Sequence, residues 1–236
     1  MRISLVGTVH EEAGLASISE LCAILERITP DVIFLEMPPG AFDEHFEGTR
    51  RNLESTAVGR YRAMHHVALV PVDLPTPDAE FFRNRDDLYS TMQHRSFEHY
   101  QLMHWHTQHV WNHGFAYLNS EHCDKLYVAI HAVTLAAIEQ LADRGLAEHY
   151  ELWTNTKERR EHHMMRSIEH YCGQCSFRTG AFLVGAAHRH PMMDLSLGHA
   201  GADSSVLQWD FDGFIEADAR RRAASACTSS MKDASA

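Results

Sequence analysis

His10, Glu36, Asp73 and His188 are the residues of this 236-residue chain whose types and spacing could do chemistry together. Each follows a short apolar run: Ile3 to Val6, Val32 to Leu35, Val67 to Val72 and Ala181 to Val184. Such runs read as buried strands of a parallel sheet. In an open parallel sheet, ligands bind beyond the carboxyl ends of the strands, so residues far apart in sequence can converge there. Two imidazoles with one or two carboxylates suit a divalent ion such as Mn, Co, Fe or Zn. An ion with an open coordination position acidifies its bound water and polarises a carbonyl. A single polar residue at a strand end is ordinary in α/β proteins; four of them point to a shared site.

A repeat strengthens that expectation. Leu5-Val6-Gly7-Thr8-Val9-His10 returns as Leu183-Val184-Gly185-Ala186-Ala187-His188. Gly7 and Gly185 lack a Cβ and let the backbone turn or approach a ligand closely. The repeat predicts two related half-sheets facing one site.

The elements between these residues must position them. Ser17 and Glu20 have capping-box spacing, Leu21, Ile24, Leu25 and Ile28 recur at helical period, and Pro30 stops the helix. Strand, helix and strand within this stretch make a βαβ unit with parallel strands. A polar helical stretch, Thr49 to Met64, precedes the third strand. From Asp78 to about Gly145 the pattern is helical; Leu126, Ile130, Val133, Ala137 and Leu141 form one stripe, with Gly145 as its expected C-cap. A further helix is expected over Thr156 to Tyr171, a last strand over Val206 to Phe211, and a frayed tail over 217–236. The predicted architecture is an α/β domain over 1–216. Its central, mostly parallel sheet is built from two related halves, with a long helical insertion at about 78–171.

These motifs, in this order, resemble the TraB/TIKI family, in the clan that also holds ChaN-like haem-binding proteins and erythromycin esterases. Val6-Gly7-Thr8-Val9-His10 is similar to the family's opening Gly-Thr-x-His, and Thr29-Pro30-Asp31-Val32-Ile33-Phe34-Leu35-Glu36 to its strand ending in glutamate. Arg160-Glu161-His162-His163-Met164 resembles its Arg-Asp/Asn-x-x-Met segment, and Val184-Gly185-Ala186-Ala187-His188 its closing Gly-x-x-His. The matches span residues 3 to 190. The resemblance implies two related halves with inserted helices, and places His10, Glu36 and His188 in the site. Arg160 carries over more weakly, and Asp73 only by its strand-end position. Some family members act as metal-dependent proteases. The chain departs from the pattern at His188-Arg189-His190-Pro191, where a Gly-containing turn is commoner, and in lacking the membrane segments of several relatives.

Composition narrows the function classes. With 21 basic and 32 acidic residues, the net charge of −11 argues against a general nucleic-acid binder. A hydrophobic share of 44% can fill a core and excludes global disorder. No apolar run is long enough to span a bilayer, and the N-terminus reads as a strand rather than a secretory signal. Five cysteines suit a reducing compartment better than a disulfide framework, so a cytoplasmic protein is expected. Cys172-Gly173-Gln174-Cys175 is a lone Cys-x-x-Cys, read as two reduced thiols rather than a zinc half-site. His99, His106 and His113 fall at heptad spacing with His109 nearby, and read as a polar helix face. Tyr100, Trp105, Trp111 and Phe115 in the same region read as core or lid aromatics.

Three functions compete. The first is a metal-dependent hydrolase or peptidase: His10, Glu36 and His188 hold the ion, with Asp73 as a fourth ligand or as an orienter of the others, Arg160 clamps the substrate or its oxyanion, and Glu161 or Glu11 is the base. The second is a metal-free hydrolase with His10 as general base, assisted by Glu36. The third is a non-catalytic binder of haem or a peptide signal. The first is preferred, with a small-molecule or peptide substrate; self-association into a homo-oligomer is compatible with all three.

Overall fold

The computed structural model describes residues 1–48, 51–75, 77–199, 207–217 and 219–225. The chain runs β1 (Arg2–Thr8), α1 (Ile18–Ile28), β2 (Val32–Leu35), a 3-10 turn at Pro39–Ala41, α2 (Phe42–Phe46), α3 (Leu53–Met64) and β3 (Ala68–Pro71). Four helices follow: α4 (Ala79–Arg95), α5 (Phe97–Leu118), α6 (Glu121–Leu141) and α7 (Arg144–Gln174). The chain then returns through β4 (Thr179–Gly185), α8 (Ala186–His199) and β5 (Gln208–Asp210). The helices α4 to α7 are the expected insertion. Among the described residues no helix is long and apolar enough to cross a membrane.

All strand pairs are parallel, in the order β3-β2-β4-β1-β5. The βαβ unit of β1, α1 and β2 is present, but β4 lies between its two strands. Alternation along the strands divides the core into two layers. Val6, Ile33, Leu35, Ala181 and Leu183 pack with Leu21, Ile24 and Leu25 of α1 and Ala57 and Val58 of α3. Ile3, Leu5, Phe34, Phe182 and Val184 face the other way, against Met164, Met165 and Ile168 of α7 and Met192 of α8. Phe34 and Phe182 are fully buried, each contributing about 1.5–3 kcal/mol of hydrophobic free energy.

The two copies of the repeat are neighbours at the centre of the sheet, but their pairing is offset by one residue. Leu5 pairs with Phe182 and Val6 with Leu183. A one-residue offset puts equivalent side chains on opposite faces: Leu5 and Leu183 lie in different core layers. The exits differ as well. His10 follows β1 in a loop, whereas His188 stands in the first turn of α8.

Several boundaries differ from expectation for local reasons. The helix expected from Thr49 begins at Leu53, and residues 49 and 50 lie outside the described residues. Gly145 does not cap α6; Ala142 does, in the left-handed region at φ 50°, and Gly145 lies in the first turn of α7. Asp143 caps α7, which therefore begins well before Thr156. The start of the last expected strand, Val206, falls outside the described residues, as does 226–236. The tail is not frayed throughout: residues 219–225 are helical and Ala223 is buried against the α1 layer.

Half of the Ser17/Glu20 capping box is made. The Ser17 hydroxyl accepts from the Glu20 N–H, but the Glu20 carboxylate accepts from Phe115 N–H at 3.0 Å. It thereby caps a break in α5 at Gly114, where φ is 52° and ψ −136°. A Cβ at Gly114 would stand 2.8 Å from the Leu15 carbonyl carbon. Gly114→Ala is therefore expected to cost about 1–3 kcal/mol from backbone strain, with the steric clash adding to it. Urea unfolding of this variant beside Gly40→Ala, a site with open space around its Cβ, checks this.

Candidate functional site

The carboxyl edge of the sheet gathers an ion-paired cluster. Glu36 follows β2 directly, and its N–H still donates to the Leu183 carbonyl, so its position is fixed by the ladder. Its Oε2 accepts from the Gly185 N–H at 2.6 Å. A Cβ at Gly185 would lie 3.3 Å from that oxygen, so glycine permits the close approach. The amide opens α8, so the carboxylate also gains from the helix N-terminus. Asp73, 4% exposed, is held beyond β3 by its N–H on the Met37 carbonyl.

Arg160 of α7 bridges the two. Its Nη2 donates to Glu36 Oε1 and to Asp73 Oδ2, both at 2.6 Å, and its Nε to Asp73 Oδ1 at 3.2 Å. This fork geometry gives charge-assisted bonds of the stronger kind. Arg160 Nη1 has no partner among the described residues. One residue on, Glu161 Oε1 meets His188 Nδ1 at 2.7 Å and Lys157 Nζ at 2.7 Å. His188 Nε2 lies 3.3 Å from Glu36 Oε1. Burial pushes the His188 imidazole down, but Glu36 and Glu161 outweigh it and raise its pKa. Burial likewise pushes Glu36 up, yet His188, Arg160 and the Gly185 amide hold its carboxyl well below the usual range.

His10 stands apart, with its side chain 63% exposed. Its Nδ1 meets Glu54 Oε1 at 3.0 Å, and the same oxygen accepts from the Thr8 hydroxyl at 2.8 Å. Glu54 is 7% exposed and sits in the first turn of α3. A reciprocal capping box between Asn52 and Ser55 fixes that helix start. Leu53 N–H donates to the His10 carbonyl at 2.8 Å, tying helix and loop together. The hydrogen bond to the Glu54 carboxylate raises the His10 pKa to about 9; Glu36 also raises it and Arg160 lowers it. The Nε2 of His10 has no partner among the described residues.

His10, Glu36, Asp73, His188, Arg160 and Glu161 are thus all at one edge of the sheet. Asp73 has both oxygens on Arg160, and His188 has both ring nitrogens on carboxylates. Among the described residues no three His, Cys, Asp or Glu side chains are grouped as a metal would hold them. The Arg160 guanidinium stands between the Glu36 and Asp73 carboxylates. Glu161 holds His188 through Oε1, and Glu11 is exposed. Glu54, the carboxylate that meets His10, has no strand-end signal; the Asn52-x-x-Ser55 cap, with a glutamate inside it, is its one trace in the sequence.

The secondary clusters resolve differently. Cys172 is half-buried at the end of α7 and its thiol is pushed up to about 11 by burial, while Cys175 is exposed. The histidines of α5 are not a uniform polar face. His106 lies between the hydroxyls of Tyr117 and Tyr127, and His99 is buried with neither ring nitrogen bonded. Phe115 is core, Trp111 is exposed, and Tyr100 lines a cavity.

Fold and site together define an all-parallel α/β protein with a charged cluster and an exposed, carboxylate-held histidine at the carboxyl edge of its sheet. Comparison of the chain with known proteins finds no family model, no curated protein and no solved structure that matches it.

Proposed function

We propose that this protein is a hydrolase that works without a metal, with His10 as general base for attack of water on an ester or amide carbonyl. The observation that carries this reading is the exposed His10 imidazole held through Nδ1 by the buried Glu54. A carboxylate on one ring nitrogen fixes the tautomer and leaves the other nitrogen to take a proton. In the step, His10 Nε2 takes a proton from water while the water oxygen bonds to the carbonyl carbon. The tetrahedral adduct then expels the alcohol or amine, which recovers the proton from His10. Arg160, locked by Glu36 and Asp73, offers the free N–H groups of Nη1 to the developing oxyanion. The resemblance of Gly7 to His10 and of Gly185 to His188 to TraB/TIKI motifs is in keeping with hydrolysis.

Ester and peptide hydrolysis by chelator-treated protein is the test. Turnover that survives chelation and is lost in His10→Ala is expected. Turnover that disappears on chelation and returns only with Mn, Co, Fe or Zn would replace this reading with the metal-dependent one.

A further inference from the structure

The loop that carries His10 is gripped by a helix of the insertion. His10 lies between β1 and α1, and residues 111–119 at the end of α5 hold that connection on both sides of it. After His10, the Leu15 N–H donates to the Trp111 carbonyl at 2.9 Å. Before it, the Asn119 side chain takes both backbone groups of Gly7. Its Oδ1 accepts from the Gly7 N–H at 2.7 Å, and its Nδ2 donates to the Gly7 carbonyl at 3.1 Å. Nδ2 also donates to the Phe115 carbonyl at 2.9 Å, so both amide protons are used and the amide has one orientation. The break of α5 at Gly114 lies between the two grips.

Asn119 stands where the sheet lacks a strand. β5 pairs with β1 only over Arg2–Ser4. Backbone groups of alternate residues point to the same side of a strand. The Met1 carbonyl accepts from Gln208 of β5, so the groups of Gly7 point to the same side, beyond the end of β5. Buried backbone groups need partners, and Asn119, 4% exposed, supplies both. The approach is close: a Cβ at Gly7 would stand 3.0 Å from the Leu118 carbonyl oxygen and 3.1 Å from Arg189 Cδ. The next residue, Thr8, donates its hydroxyl to the Glu54 oxygen that meets His10 Nδ1.

We propose that Asn119 is a positioning residue for His10: by clamping Gly7 it fixes the end of β1, and so keeps the His10 imidazole on Glu54. Its catalytic consequence rests on the hydrolytic reading; the placement of the ring does not.

NMR titration of the His10 ring in Asn119→Ala, beside wild type and Ser120→Ala, tests the proposal, with urea unfolding to show that each variant is folded. Ser120→Ala weakens the adjoining α6 cap, where the Ser120 hydroxyl accepts from the Cys123 N–H, and controls for lost stability alone. The His10 midpoint is expected at about 9 in wild type and in Ser120→Ala. In Asn119→Ala it should fall by about one pH unit or more as the Glu54 contact loosens. On an ester substrate, kcat should fall about 10–100-fold with KM little changed, the scale of a misplaced catalytic group. If Asn119→Ala does not fold, Gly7→Ala, which pushes the same joint apart from the strand side, should give the same two changes. A wild-type midpoint already near 6.5, an unmoved midpoint in the folded variant, or an equal fall in Ser120→Ala would overturn the proposal. A midpoint that falls while the wild type hydrolyses nothing would support the positioning of His10 and reject the hydrolytic reading.

Discussion

Arg160→Met is expected to destabilise the folded chain by about 3–5 kcal/mol at neutral pH, the usual cost of removing one partner from a buried ion pair. Methionine keeps the length of the side chain and removes the charge. It leaves the Glu36 and Asp73 carboxylates, with side chains 8% and 5% exposed, facing each other without their shared cation. Hydrophobic contact along the stem offsets little of that, because the loss is of charge compensation, not area. The deficit should narrow as the pH falls. In the native protein the Glu36 pKa is depressed, so its stabilising contribution is present above the ordinary carboxylate range and lost on acidification. In the variant, protonation of the same carboxyls relieves repulsion instead. Urea unfolding at pH 7 and again near pH 4.5 checks both parts. A loss of about 1 kcal/mol or less, as for an exposed pair, would contradict the structural role given to Arg160. Arg160→Lys should fall between, since an ammonium keeps the charge but cannot reproduce the fork on Asp73.

The largest kinetic effect is expected at His10. His10→Ala should lower kcat/KM by about 10²–10⁴-fold, the usual contribution of a general base. With the His10 pKa at about 9, the imidazole is mostly protonated at neutral pH and activity should rise with pH until that value is passed. Glu54→Gln removes the hydrogen-bonded charge that raises it, so the limb should move toward the ordinary value of 6.5. The stability linkage has a definite sign. The folded pKa is raised, so the pair's contribution is complete below pH 6.5 and lost as pH rises through about 9. Glu54→Gln should flatten that dependence. A pH–rate limb unmoved by Glu54→Gln would separate His10 from the observed chemistry.

Much of the fold can be read from the chain because its strands are continuous apolar runs. β1, β2, β3 and β4 each coincide with one, and the helical insertion follows from the change of period after Asp78. Strand order cannot be read that way. Apolar runs say that β1 and β2 are buried, but not that β4 returns from the far side of the insertion to lie between them. Gly180 shows how tight that fit is, since a Cβ there would stand 3.3 Å from both Ile3 and Val32. The repeat was visible, while its one-residue offset depended on pairing that no local pattern encodes. The same limit applied to the site. Strand ends located His10, Glu36, Asp73 and His188, because chain direction places them at one edge. Their partners were hidden: Glu54 comes from a helix start docked by the His10 carbonyl. That Arg160 bonds both Glu36 and Asp73 depended on where the long helix α7 packs against the sheet.

Elemental analysis of tag-free protein, paired with kcat/KM on the same chelator-treated sample and on His10→Ala and His188→Ala, tests the central claim most directly. The account predicts ester or amide hydrolysis in wild type with far less than one metal per chain, and its loss in His10→Ala. Near-stoichiometric Mn, Co, Fe or Zn in untreated wild type, gone from both histidine variants and tracking with activity, would contradict it.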